Sequence, residues 1–258
     1  MDMMYYEQLL KLEVFNLSDV EQLTGSADAA KHLLSRYVEN GFLKRVKKNL
    51  YYCVNLENKN STVNRFVIGS NINKTAFLSH HSAFEYYGLS HQTFYELYVA
   101  SAKVFKNFEF EEITYKYVKA HFDNGVIVPE TNSKIRVTIL ERTVIDCIKN
   151  IDLAGGTEEL FQCLDSVLTL NNDRIFEYLE LYDIQFLYQK AGYIFERYKA
   201  DFAIRDELIN ACQQKVGEGI RYFDDDARAG NGVLVKKWNL IIPRGMNNDF
   251  NQGATEFV

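Results

Sequence analysis

Apolar residues at the start of the chain recur at the spacing of amphipathic helices, and this pattern predicts two helices before Gly25. The first runs from about Met3 to Glu13. Ser18 and Glu21 form a capping-box pattern that opens a second, short helix, because the hydroxyl can accept from an exposed backbone amide and the glutamate can reach back. Gly25 ends this helix, since glycine tolerates the left-handed turn that a helix stop requires.

The most regular pattern predicts a third helix from Ser26 to about Asn40. Its apolar positions form one stripe and are Ala30, Leu33, Leu34, Tyr37 and Val38. Its opposite side and flanks are polar and carry Lys31, His32, Ser35 and Arg36. Two helices joined by a short turn, the later one with a polar outer face, are typical of a helix-turn-helix, which places the later helix in the major groove of DNA.

Two short apolar runs then predict a β-hairpin with strands at about Phe42–Val46 and Leu50–Val54. The connection is Lys47-Lys48-Asn49, in which Asn49 can adopt the positive φ of a tight turn. A basic hairpin directly after the recognition helix indicates a wing. Residues 1–56 are therefore predicted to form a winged helix-turn-helix domain that binds duplex DNA.

The distribution of charge supports this interpretation. The whole chain has a net charge of -6, yet residues 26–48 contain six basic and two acidic side chains. A basic stripe on an acidic body confines phosphate affinity to one place. The predicted phosphate contacts are Arg36, Lys47 and Lys48, the predicted base-edge contacts are Lys31, His32 and Ser35, and Lys44 and Arg45 complete the basic hairpin. A solvated surface or a protein–protein module would carry a similar pattern, and both alternatives stay open.

The remaining chain predicts a larger mixed domain. Residues 57–61 are polar and without periodicity, so they are predicted to be a linker between domains 1–56 and 62–258. Helices are predicted at about Val63–Ile72 and Ser79–Tyr87 and throughout most of the chain after Leu140. Strands are predicted at about Ala76–Leu78, Thr93–Ala100, Ile113–Val118, Gly125–Val128, Lys134–Thr138 and Val233–Ile242. Strands first and helices later predict an α+β fold.

Composition narrows the class of protein. The chain of 258 residues is 47% hydrophobic and 25% charged, as expected of a globular protein, and its four scattered cysteines are expected to be reduced core residues. Neither a signal peptide nor an apolar run long enough for a bilayer is visible, so we expect a cytoplasmic protein without membrane association.

The candidate chemistry is sparse, and we predict no catalytic residue, no cofactor and no metal. His80-His81 with Glu85 lacks the histidine spacing of a zinc site, and a helix start explains it better. Asp224-Asp225-Asp226 could supply carboxylate oxygens to a divalent ion, although a solvated turn is the simpler interpretation. Phosphate-binding glycine loops are absent from the sequence.

In their order along the chain, several segments resemble the AbiEi family, the antitoxins of type IV toxin–antitoxin systems, which act in abortive infection as a phage defence. The segments are Phe15–Gly25, Leu33–Tyr37, Gly41–Tyr51, Leu78–Leu89, Glu141–Asp146 and Gly192–Glu196. Asn49 departs from the glycine expected in the wing turn, and asparagine fills the same backbone role at modest cost.

The resemblance implies a function. A family member would repress its own operon by binding inverted repeats at its promoter, and would counteract a nucleotidyltransferase-like toxin encoded beside it. The resemblance leaves open whether antitoxin and toxin touch. The alternative is a plain winged-helix transcription factor whose second domain binds an effector or dimerises.

An enzyme is the weaker alternative. Nucleotidyl transfer requires a Gly-Ser loop followed by paired carboxylates, and Gly25-Ser26 lies inside the predicted helix-turn-helix instead. The ExK pattern of a nuclease occurs only at Glu57-Asn58-Lys59, in the predicted linker.

Overall fold

The computed structural model describes residues 4–56 and 63–246, and the predicted linker at 57–61 lies outside these residues. The fold is α+β, as predicted from the sequence. The helices in the described residues are α1 Met4–Leu12, α2 Leu17–Thr24, α3 Ala27–Glu39, α4 Arg65–Ser70, α5 His81–Tyr86, α6 Leu140–Lys149, α7 Thr157–Asp165, α8 Asn172–Tyr182, α9 Gln185–Arg197 and α10 Asp206–Gln214.

The strands alternate with these helices in the first half of the chain and return near its end. They are β1 Val14–Phe15, β2 Leu43–Lys47, β3 Leu50–Cys53, β4 Phe77–Leu78, β5 Glu96–Ser101, β6 Phe108–Phe110, β7 Ile113–Lys119, β8 Val126–Ile127, β9 Val137–Thr138, β10 Arg221–Tyr222, β11 Gly232–Val235 and β12 Leu240–Pro243. Short 3₁₀ turns occupy Ile151–Ala154 and Lys236–Trp238.

The chain forms two compact units. The first consists of Met1–Ser82 with Phe94–Thr138, and the second of Ala83–Thr93 with Ile139–Val258. The first unit thus combines the predicted DNA-binding segment with a later stretch of chain. The predicted domains 1–56 and 62–258 stay a prediction.

Helices α1–α3 enclose the apolar cluster at the start of the first unit. Every predicted inner position of α3 except Val38, which is exposed, is buried in this cluster. Gly25 ends α2 in the left-handed conformation at φ 79°, and the Ser26 hydroxyl accepts from the amide of Ala29 at 3.2 Å to cap α3. These predicted boundaries are confirmed.

The predicted capping box at Ser18 is wrong. Asn16 is the N-cap of α2, and its Oδ1 accepts from the amides of Ser18 and Asp19. The Asp19 carboxylate in turn accepts from the amide of Asn16 at 2.8 Å, which completes the box two residues earlier. Ser18 is thereby placed within the first turn of the helix.

The basic hairpin is present and belongs to a three-stranded antiparallel sheet in the order β1-β3-β2. Strand β1, which the sequence did not predict, pairs Val14 with Tyr52 and Phe15 with Tyr51. Asn49 has φ 63°, as predicted for the turn. The register shifts between Arg45 and Lys47, which is a β-bulge at Val46.

The first unit also contains a six-stranded mixed sheet, in the order β6-β7-β5-β4-β9-β8. The central β5 pairs with β7 in parallel and with β4 antiparallel. Helix α4 packs so closely on this sheet that a Cβ added at Gly69 would lie 2.7 Å from a Leu97 methyl carbon. Strand β6 at the sheet edge was also missing from the sequence prediction.

The second unit is mostly helical, with a small sheet in the order β10-β12-β11. The single strand predicted at Val233–Ile242 is wrong, because the 3₁₀ turn at Lys236–Trp238 divides it into β11 and β12, which pair antiparallel. Tyr188, Tyr193 and Phe195 of α9 are buried in the core of this unit.

All four cysteines are buried thiols, as expected, and burial raises the pKa of Cys53 and of Cys212 to about 12. None of the helices in residues 4–56 and 63–246 has both the length and the apolar character required to cross a bilayer.

Candidate nucleic-acid interface

The outer face of α3 is polar and exposed. It carries four of the predicted DNA-binding side chains, which are Lys31, His32, Ser35 and Arg36, and all four are exposed. Lys31 forms an ion pair with Asp28 at 3.3 Å, with both side chains largely in solvent. Such an exposed pair is weak, so the ammonium can exchange this partner for a phosphate at little cost.

A cleft of about 590 Å³ separates this face from the hairpin. Lys31 and Ser35 line it from α3, and Arg45, Lys48 and Asn49 line it from the hairpin. A second cleft of about 510 Å³ lies along α3 and is lined by Ser35 together with His32 and Arg36. Ser35 borders both clefts, so the predicted base-edge and phosphate contacts of α3 form one continuous surface with Arg45 and Lys48.

Lys44 faces another part of the first unit. Its ammonium donates to Glu111 Oε1 at 3.2 Å, and Tyr52 Oη donates to the same oxygen at 2.9 Å. Hydrogen bonding to Glu111 raises the pKa of Lys44, although partial burial acts in the opposite direction. Glu111 lies in the turn between β6 and β7 with φ 48°, so that turn holds the hairpin through Lys44 and Tyr52.

Lys47 also turns away from the cleft. Its ammonium lies 4.6 Å from the ring centroid of Phe108 and 5.1 Å from that of Phe105. These are cation–π distances. Partial burial against the rings lowers the pKa of Lys47. A phosphate contact by Lys47 would require it to leave both rings.

The bulge at Val46 explains why Arg45 and Lys47 lie on opposite faces of β2. Side chains alternate along a strand, so Arg45 and Lys47 would share one face of a regular β2. The extra residue shifts the alternation by one and places Lys47 on the face of Lys44. Arg45 stays on the opposite face, beside the cleft, where its Nε donates to the carbonyl of Lys47 at 3.3 Å.

The turn of the basic hairpin is tied to α2 by a contact that the sequence analysis missed. Asn49 Oδ1 accepts from the amide of Leu17 at 2.9 Å. Leu17 is the first residue of α2, where backbone amides lack a partner within the helix. Asn49 therefore supplies both the positive φ of the turn and a bond that fixes the turn beside the cleft, and a glycine would supply only the first.

Three of the residues considered for metal binding, His80, His81 and Asp224, make other contacts. His80 Nδ1 lies 2.9 Å from Ser79 Oγ, and the His81 ring stacks on Phe94 with centroids 4.0 Å apart. In the second unit, the Asp224 carboxylate accepts from the Thr157 hydroxyl and from the amide of Ala227.

Comparison with known proteins reveals similarity in fold alone. The sequence matches no protein-family model, and no curated protein is similar to it. A crystal structure of the RV2827C protein from Mycobacterium tuberculosis superimposes with a TM-score of 0.65 over 96% of this chain and 93% of that one. The identity is 13%, so the likeness concerns the fold and carries no function.

Proposed function

We propose that this protein is a DNA-binding antitoxin that represses transcription of its own toxin–antitoxin operon and counteracts a nucleotidyltransferase-like toxin, without catalytic activity of its own. The observation that carries the DNA-binding part is the continuous exposed surface formed by the outer face of α3 with Arg45 and Lys48. Duplex DNA is the partner whose shape and charge fit it, because a helix enters the major groove while a hairpin follows the phosphates.

The roles within this surface follow from position. Arg36, Arg45 and Lys48 are exposed cations on either side of Ser35, and we assign them to phosphates. Lys31 and Ser35 are assigned to base edges, since they line the cleft from the helix. We assign Lys44 and Lys47 a structural role, which is to hold the hairpin in place. Lys44 contacts Glu111, and Lys47 contacts the Phe105 and Phe108 rings.

Binding to the native promoter should depend steeply on salt. Contacts with about 4–6 phosphates release counterions, so the logarithm of the association constant should fall against the logarithm of salt concentration with a slope of about -4 to -5. Electrophoretic shifts with the promoter and with random DNA of equal length, repeated at several salt concentrations, measure this. Binding that ignores salt, or that does not prefer the promoter, would contradict the proposal.

The toxin-related part rests on the sequence resemblance to AbiEi antitoxins. Co-expression of the full chain with the toxin encoded beside it, each from an inducible promoter, should restore growth. The variant Arg45→Ala/Lys48→Ala should restore growth equally, because an inducible promoter removes the need for repression.

Failure of the full chain to restore growth, despite its accumulation in the cell, would favour the alternative of a plain winged-helix transcription factor with an effector-binding second part. A cavity of about 330 Å³ in the second unit is the observation that favours this alternative.

A further inference from the structure

The second unit contains a cavity of about 330 Å³, at the lower end of the size of small-molecule sites. Its wall comes from the end of α6, the 3₁₀ turn after it, α9, and the segment from Tyr222 to Arg228. Three cations line it, which are Lys149, Lys190 and Arg228. Aromatic rings line it as well, from Phe186, Tyr222 and Phe223.

Lys190 is the unusual member of this wall. The residue is 93% buried, with a relative exposure of 7%, and its ammonium lies over the rings of Phe186 and Phe223 at 4.6 and 5.5 Å. Among the described residues, the ammonium forms neither an ion pair nor a hydrogen bond. Burial lowers the pKa of Lys190 to about 8, while Asp224 and Asp152 act in the opposite direction. The two carboxylates offset the burial of Lys190 only in part, because neither forms an ion pair with the ammonium in the described residues, so an anion in the cavity would stabilise its charged form.

The other two cations are less buried, since Lys149 is half-buried and Arg228 is exposed, and both also lie near aromatic rings. Lys149 lies 5.0 Å from the ring centroid of Tyr182, and Arg228 lies 5.8 Å from that of Tyr222. Within the described part of the chain, neither side chain is ion-paired. Cation–π contacts leave the outward N–H groups available, because the ring occupies only one side of the cation.

The carboxylates of the wall form no direct ion pair with Lys190 within the described part of the chain. Asp152 and Asp225 are exposed and stand at the rim. Asp224 lies deeper, and its two oxygens already accept from the Thr157 hydroxyl and the amide of Ala227. The wall therefore carries three cations and three carboxylates, and Lys190 is the buried cation among them, while Asp152, Asp225 and Arg228 are exposed at the rim.

We propose that this cavity binds a phosphate group, as a small phosphate monoester or as free phosphate, with Lys190 as the buried cation that pairs with it. The volume suits a compound the size of a sugar phosphate. Hydroxyl groups of such a compound would donate to Asp152 and Asp225 at the rim. The site lies in the second unit and does not depend on the proposed DNA binding.

Isothermal titration of the full chain with inorganic phosphate, ribose 5-phosphate and ribose tests the proposal. We expect binding of the two phosphate-bearing probes and no binding of ribose. Ribose 5-phosphate should bind more tightly than phosphate if the ligand is a monoester, and equally if it is free phosphate. Lys190→Met should weaken binding roughly 10- to 100-fold, as loss of a charge-assisted bond implies.

Two control variants distinguish phosphate binding in this cavity from phosphate binding to exposed basic side chains elsewhere on the protein. Lys199→Met removes an exposed lysine of the same unit that pairs with Asp206, and should leave binding unchanged. Lys119→Met removes an exposed lysine of the first unit and should also leave binding unchanged. The readout does not involve DNA, so failure of the DNA proposal would not affect this result. Absence of phosphate binding, or equal binding by Lys190→Met, would overturn the proposal.

A measurement on the unmodified chain guards against misfolding of the variant. Acetylation of Lys190 by acetic anhydride, followed by mass spectrometry, should slow at least several-fold in the presence of ribose 5-phosphate. Acetylation of Lys199 should not change. Equal rates at Lys190 with and without the probe would overturn the proposal.

Discussion

Replacing Arg45 and Lys48 together with alanine should weaken binding to the promoter by roughly 30- to 100-fold at physiological salt and reduce the salt slope by about 2. Both cations line the cleft beside α3, and each is assigned one phosphate. Random DNA should lose affinity by a similar factor, because phosphate contacts carry no sequence information. Fluorescence anisotropy with labelled promoter and random duplexes over a salt series measures both quantities.

The matched control is Lys44→Ala/Lys47→Ala. It removes the same charge from the same hairpin, so any loss of long-range attraction to DNA should be the same in the control and in the test variant. These lysines contact Glu111, Phe105 and Phe108 of their own unit instead of lining the cleft. We expect an unchanged salt slope together with a loss of stability. If the control flattened the slope as much as the test variant, the cleft would not be where the phosphates lie.

The start of the chain was the most predictable part, because short-range signals mark its elements. Gly25 and Ser26 are adjacent stop and cap residues, and the turn at Asn49 needs only local backbone freedom. The exception is instructive. Asn16 and Ser18 are both good N-caps two residues apart, and only the reciprocal bond from the Asn16 amide to Asp19 selects the earlier one.

The sequence could not predict on which face of the hairpin each basic side chain lies. A one-residue bulge at Val46 decides which cations share a face, and bulges have no reliable signal in a single sequence. The partners that draw Lys44 and Lys47 away from the cleft lie about sixty residues later in the chain. Nothing in the local pattern couples Lys44 to Glu111 or Lys47 to Phe108, so the sequence could not show that Lys47, predicted to contact phosphate, lies away from the cleft and Arg45 beside it.

The cavity around Lys190 could not be predicted either, because it also depends on contacts between residues that are far apart in the sequence. Lys190 lies inside the helical pattern of α9, where a lysine normally reaches solvent. Its burial results from the Tyr222–Arg228 segment, which is more than thirty residues away and was interpreted as a solvated turn. That interpretation holds for Asp225, which is exposed, but Phe223 of the same segment is fully buried.

Replacing Gly192 with alanine should destabilise the second unit by about 2–3 kcal/mol. Gly192 lies in the middle of α9, where alanine would ordinarily stabilise the helix by about 1 kcal/mol. Here the added Cβ would lie 2.1 Å from the six-membered ring of the fully buried Trp238. Urea denaturation followed by far-ultraviolet circular dichroism measures the change in free energy of unfolding.

Helix α9 holds the indole through Glu196 and the backbone of Trp238 through Gln189, which opposes a shift of the ring away from an added Cβ. Trp238 Nε1 donates to Glu196 at 2.7 Å, and Gln189 Nε2 donates to the carbonyl of Trp238 at 3.0 Å. Gly219→Ala is the control, since the nearest atom to its added Cβ is 4.0 Å away, and it should change stability by less than about 0.5 kcal/mol. In a Trp238→Leu background the cost of Gly192→Ala should largely vanish, because the clash is specific to that ring. An equal cost in both backgrounds would mean that Gly192 is required for a reason other than its contact with the indole.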